Sequence, residues 1–282
     1  MVPLTRQDIL LHQTFVPWPV QHQVEQDLLL CRAMTALFSD PFLGRQIAMR
    51  GGTILHKAFL APAARYSEDI DLVVIGDRPE EHIRAAIKRV LQDILGKPKG
   101  WGWEELKLAV RNVARPSRVL RVTYEVPSIV EPGQTLIVVV EANVTERIPH
   151  LPVVKLPFSA QFRGNQLSAD INSFDIHEMM GTKMRALFQR KRGRDLFDLY
   201  WAITAPSAER VEPRRIVESF QYYMEQEGTT VPRAEFLRQL DVRLADRGFC
   251  SDMQPLLRAG LIYDPQLAGE HVREQLLMLL PE

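Results

Sequence analysis

The hydrophobic positions divide this chain into two regimes. In the first, Val24, Leu28, Cys31, Met34, Ala36 and Leu37 recur at helical spacing and predict a helix over 23–38, stopped near Ser39-Asp40-Pro41. A short strand over 45–50 ends in Gly51-Gly52, and a short helix over 53–61 is broken by Pro62. Residues 65–75, "RYSEDIDLVVI", predict a strand, and 79–95 an amphipathic helix with Pro79 near its first turn and Gly96 after its end. The middle third is rich in β-branched residues: "LKLAVRNVA", "RVLRVTYEV" and "QTLIVVVEANV" lie between turn signals such as Pro127 and "EPG". Pro149, Pro152 and Pro157 mark a crossing segment.

From about residue 173 the pattern turns helical, over 175–190, 194–204, 212–226, 232–246, 251–260 and 269–280. An α/β (α+β) half, a mixed sheet with flanking helices over 1–165, is therefore expected to precede a helical region over 166–282, with the joint near 160–172.

Composition changes this picture little. The 282 residues carry 35 Lys plus Arg against 35 Asp plus Glu, so affinity for a polyanion must come from local clustering of charge. Cys31 and Cys250 are the only cysteines, and the seven His form no H-x-x-x-H pair, which removes a disulfide framework and a Cys-based zinc site. No stretch is long and apolar enough to span a bilayer, and the N-terminus lacks a secretory pattern, so a cytoplasmic protein is expected.

The candidate chemistry begins with the charges at the mouth of the 65–75 strand. Side chains alternate along a strand, so Ser67, Asp69 and Asp71 share one face, and Glu68 points the other way as a bystander. Carboxylates at i and i+2 can share one hard cation or a close pair of them, and magnesium is commonly shared with substrate phosphates. D-x-D alone also reads as a solvated strand end paired with Lys or Arg. "MRGGTILHK" shifts the balance, because Gly51-Gly52 between a strand and a helix lets backbone N–H groups approach a phosphate, although no Walker A loop is present. Glu141, at the end of a strand carrying Val138, Val139 and Val140, reads as a third metal ligand, a general base or a satisfied strand-end charge.

A second constellation is "DIHEMMGTKMRALFQRKRGRDLFDLYWAI", 175–203. Asp175 and Glu178 resemble a capping box, and Met180, Met184 and Leu187 form an apolar stripe beside Lys183. An ammonium beside an apolar stripe needs a specific anionic partner. Lys183, Arg185, Arg190, Lys191, Arg192 and Arg194 make a local positive patch, read either as helix-end charge or as contacts to a triphosphate or nucleic-acid backbone. Asp195 and Asp198 lie one turn apart, either of them able to pair with Arg194 or Lys183. Arg111, Arg115, Arg118 and Arg121 favour RNA or are ordinary exposed-strand charges, and Trp101 and Trp103 suit a surface turn packed on the preceding helix better than a base-stacking loop.

"RGGTILHKAF…RYSEDIDLVV", "VEANVTER" and "GTKMRALFQRKRGRDLFDLYWAI", in this order, resemble the AbiEii/AbiGii-type nucleotidyltransferase toxins of toxin–antitoxin and abortive-infection systems. The resemblance spans about residues 45–205 and implies a nucleotidyltransferase fold with a helical C-terminal region. It implies that Gly52 and Thr53, following Gly51, stand where the superfamily's Gly-Ser element contacts phosphates. Asp69 and Asp71 would hold magnesium or manganese, with Glu141 as the third acid. Lys183 would contact the NTP, Asp195 would be the later catalytic acid, and Ser67 would be a regulatory phosphorylation site. Thr145 stands where the family tends to carry Arg, so one basic contact is missing or supplied elsewhere.

The function expected is NTP-dependent nucleotidyl transfer, with phosphates against Gly51–Thr53 and Lys57 or Lys183. A tRNA acceptor would lie against Arg190, Lys191, Arg192 and Arg194, and a cognate antitoxin would restrain the toxin. A small-molecule or protein acceptor, or a non-catalytic nucleotide- or RNA-binding module, are the alternatives.

Overall fold

The structure is a computed structural model, and it describes residues 4–100, 102–108, 117–206 and 211–282. Trp101, Arg111 and Arg115 lie outside the described residues. The chain forms two compact units that part between Phe174 and Asp175.

The first unit opens with α1 (Arg6–Gln13) and α2 (Gln21–Ser39), followed by β1 (Ile47–Arg50), α3 (Gly51–Ile54) and β2 (Asp69–Val74). Then come α4 (Glu80–Leu95), β3 (Glu104–Leu108), β4 (Ser117–Pro127), β5 (Thr135–Asn143), β6 (Val154–Phe162) and β7 (Asn165–Ser173). Among the described residues, seven strands form one mixed sheet in the order β3-β4-β5-β2-β1-β7-β6. β2 runs parallel to β5, and β1 to β7, while the other neighbours are antiparallel.

Alternation sorts much of β2, β4 and β5. Ile70 and Leu72, Val138 and Val140, and Leu120, Val122 and Tyr124 are buried on one face, in the core to which α2 and α4 contribute. Each fully buried aliphatic side chain contributes about 1.5–3 kcal/mol, which fixes the register against a one-residue slip. The same register puts Asp69, Asp71, Glu141 and Arg121 on the other face.

Three sequence expectations change here. The segment 160–172, expected to join two modules, is instead the β6–β7 hairpin, and β7 lies between β1 and β6. Pro157 had suggested a crossing segment. It is tolerated because β6 is an edge strand, with one side free of ladder partners. Unpredicted α1 is capped by Thr5 and Asp8, yet it buries Ile9 while Leu10 and Leu11 stay exposed, so it has no periodic apolar stripe.

The second unit contains α5 (Ile176–Gln189), α6 (Gly193–Thr204), α7 (Pro213–Gln226), α8 (Arg233–Leu244), α9 (Arg247–Ser251) and α10 (Pro265–Gln275). α5 packs on α6 and α7, and α6 on α10. Gly181 sets the α5–α7 approach, since a Cβ there would lie 2.6 Å from Ser219 Cβ. The helix expected over 251–260 is instead α9 and a short 3₁₀ turn, and α10 starts earlier than 269 because Asp264 caps the N–H groups of Gln266 and Leu267.

Asp175 does cap α5, through the His177 N–H. Glu178 does not complete a capping box: it is fully buried and accepts a 2.5 Å hydrogen bond from the Tyr223 hydroxyl.

Candidate active site

The first unit brings Gly51, Gly52, Thr53, Ser67, Asp69, Asp71 and Glu141 together around β1, α3, β2 and β5. β1 runs directly into α3, and Gly51 makes that bend at φ +85°, a conformation that other residues rarely adopt. Its missing side chain has a second consequence, since a Cβ at Gly51 would sit 2.0 Å from Asp71 Oδ2. At Gly52 a Cβ would sit 2.3 Å from Nη2 of the buried Arg65. The space over the double glycine is thus used by the chain's own Asp71 and Arg65.

Thr53 is fully buried, and its Oγ1 lies 2.5 Å from the Asp69 carbonyl oxygen and 2.9 Å from Ser67 Oγ. This hydroxyl ties α3 to the start of β2 and thereby sets where Asp69 and Ser67 stand. Ser67 is half-buried, and Glu68 is exposed.

The sheet register makes a charged row across four strands. Arg50 of β1 lies opposite Asp71 of β2, Asp71 opposite Glu141 of β5, and Glu141 opposite Arg121 of β4. Asp69, two residues before Asp71, shares the face. Arg50 Nη1 bonds to Glu146 Oε2 at 2.5 Å. Arg121 donates to Glu141 Oε1 from Nε at 2.8 Å and from Nη2 at 2.5 Å.

The donor set suits a hard divalent cation: three carboxylates on one face of adjacent strands, none fully buried, with no thiolate or imidazole among them. The arginines at either end of the row were invisible as site residues. Arg50 precedes the double glycine, and Arg121 reads as an exposed-strand charge until β4 is paired with β5. Arg118, from the same set, is paired with Glu80 and Glu105, and Thr145 Oγ1 accepts from its backbone N–H. Trp103 does pack on the preceding helix, donating from Nε1 to the Arg84 carbonyl.

Lys57 has a different partner from the one expected. Its Nζ lies 2.5 Å from Asp27 Oδ1 and 3.4 Å from Cys31 Sγ, and Trp18 Nε1 donates to the same oxygen at 2.8 Å. His12 Nε2 lies 2.9 Å from Asp27 Oδ2. Burial opposes the charge on Asp27, but Lys57 and His12 outweigh it and hold the carboxyl below its usual range. Burial pushes the Cys31 thiol up to about 12. His12, Asp27 and Cys31 offer ligand atoms within 4.8 Å of one another, but the Lys57 ammonium already supplies this cluster with a cation. Sequence carried the signal: Asp27 lies three residues after Val24 and four before Cys31, on the apolar stripe of α2.

In the second unit Lys183 has found its anions. Its Nζ is 3.2 Å from Asp195 Oδ1 and 2.9 Å from Asp198 Oδ2, and both carboxylates are fully buried. Arg190 adds a two-point contact to Asp195, at 2.7 and 2.9 Å. Burial works against the ionised Asp195, yet Lys183 and Arg190 prevail and lower its pKa. The basic turn is accordingly less free than its sequence suggests. Arg190 serves Asp195, and Lys191 lies 2.5 Å from Asp246, whereas Arg192 and Arg194 make no ion pair among the described residues.

The chain is similar to known proteins. A family model described as "Nucleotidyl transferase AbiEii toxin, Type IV TA system" matches residues 32–268. No curated protein sequence matches the chain. Among solved structures, MenT4, a nucleotidyltransferase toxin from Mycobacterium tuberculosis H37Rv, is similar at 19% identity and a TM-score of 0.60, covering 98% of this chain and 90% of that one. JHP933 from Helicobacter pylori is similar at 12% identity and a TM-score of 0.52, with 92% of each chain covered.

Proposed function

The chain belongs to the AbiEii family of nucleotidyl transferase toxins, and we propose that it transfers a nucleoside monophosphate from an NTP to a hydroxyl of RNA, with tRNA as the acceptor class. The observation that carries this reading is the row of Asp71 and Glu141, with Asp69 on the same face, beside the Gly51 bend. Asp69, Asp71 and Glu141 would hold magnesium or manganese, which supplies charge neutralisation for the triphosphate and the leaving pyrophosphate. Asp71 and Arg65 fill the space over Gly51 and Gly52, so this turn would meet the phosphates only beside them, and Thr53 would act through the position of Asp69 rather than by direct contact, because its hydroxyl is already engaged.

For the second unit, Lys183 would contact the triphosphate and Asp195 would be a catalytic acid, as the family resemblance implies. In our reading Asp195 and Asp198 hold the Lys183 ammonium in a fixed place, and Arg190 holds Asp195. Arg192 and Arg194 are the cations of the basic turn left to meet an RNA backbone. Among the described residues no helix is long and apolar enough to cross a membrane. The type IV toxin–antitoxin description supports a cognate antitoxin as the physiological partner.

The test incubates the protein with labelled NTPs and total RNA, and in parallel with protein extract and with small-molecule acceptors. Asp69→Asn is expected to abolish labelling of RNA and to relieve growth inhibition on expression. Undiminished labelling by this variant would refute the metal assignment, and label on protein or a small molecule alone would refute the RNA acceptor.

A further inference from the structure

Glu141 lies between two strand neighbours of opposite charge. Its strand neighbour on one side is Asp71, beside which a divalent ion would bind, and on the other side is Arg121. In the structure it leans to Arg121, and both guanidinium contacts, at 2.8 and 2.5 Å, fall on one oxygen, Oε1. Charge-assisted bonds of this length are among the stronger polar contacts available to a carboxylate. The pair is also only partly screened, since the Glu141 side chain is 26% exposed and that of Arg121 41%.

We infer that Arg121 is a positioning residue that holds Glu141 as a stand-in cation and so sets the divalent-ion concentration at which Glu141 joins Asp69 and Asp71. The inference rests on the metal-dependent reading of the site. Both bonds fall on Oε1, so an ion would take Oε2 and share the carboxylate with the guanidinium, whose positive charge works against the ion. Glu141 therefore joins the site only when the ion can compete with the guanidinium charge.

The experiment measures Mn²⁺ binding to the full chain without nucleotide, by electron paramagnetic resonance of the free ion, for the wild type and single and double variants. Arg121→Gln is expected to tighten binding by roughly threefold or more at low salt, an effect that shrinks as ionic strength rises. Arg121→Lys, which keeps a cation, should bind like the wild type. In a Glu141→Gln background, Arg121→Gln should produce no gain, because the competition runs through Glu141. Unchanged or weaker binding by Arg121→Gln, or an equal gain without Glu141, would overturn the inference. Asp69→Asn tests the underlying reading separately: if it binds Mn²⁺ as well as the wild type does, the metal is not at the β2 aspartates and both readings fall. Urea midpoints for each variant separate loss of fold from loss of binding.

Discussion

Replacing Lys57 by Met separates two roles for one residue. If Lys57 were a phosphate ligand, its loss would weaken NTP binding and leave the fold intact. The structure instead puts its ammonium 2.5 Å from Asp27, whose side chain is 1% exposed, with the Lys57 side chain itself at 11%. Removing one partner of a buried pair leaves a stranded charge and typically costs about 3–5 kcal/mol. Trp18 and His12 still donate to Asp27 in the variant, so about 3 kcal/mol is the reasoned figure. For a unit of this size that corresponds to a fall in melting temperature of roughly 6–12 °C. Differential scanning calorimetry and urea titration read it directly. The double variant Asp27→Asn with Lys57→Met should recover part of the loss, because no buried charge is then left alone. An unchanged melting temperature for Lys57→Met, accompanied by loss of NTP affinity, would refute the reasoning and return Lys57 to the phosphates.

Two further outcomes follow from the same geometry. Gly51→Ala combines a positive φ with a methyl driven into the Asp71 carboxylate, so it should cost about 1–3 kcal/mol and displace Asp71. Labelling of RNA should fall well before the variant unfolds, and full activity would show that Asp71 is not held by this contact. Asp27 and Asp195 both have folded pKa values below the unfolded carboxylate value of about 4. At low pH the unfolded chain binds protons that the folded one does not, so their contribution is fully present above about pH 5 and is lost as pH falls further. Urea midpoints should be flat from about pH 7 to 5 and drop by pH 3, with a shallower drop in Asp195→Asn; equal midpoints at pH 3 and 7 would contradict the assignment.

The sequence by itself determined the elements whose pattern is local. Residues 69–74 and 135–143 are runs of β-branched and aliphatic residues, 80–95 and 176–189 are amphipathic, and the helix ends carry Pro, Gly or a capping Asp, so each follows from local composition, periodicity and backbone sterics. The acids Asp69, Asp71 and Glu141 were legible for the same reason, as charges set into strands that otherwise want apolar residues. Tertiary structure decided what depends on pairing between distant segments. The β6–β7 hairpin earns its place in the sheet by β7 docking beside β1, which no local pattern announces. Lys57, Glu178 and Lys183 each carry a polar group into the interior, and a sequence shows the need for a partner without showing which one answers. Asp27, Tyr223 and the Asp195–Asp198 pair were settled by helix packing and burial. Arg121 shows the division most sharply: a strand-borne cation in sequence, it became the counter-ion of Glu141 only when β4 and β5 were laid in register, because side chains on neighbouring strands meet only through the hydrogen-bonded ladder.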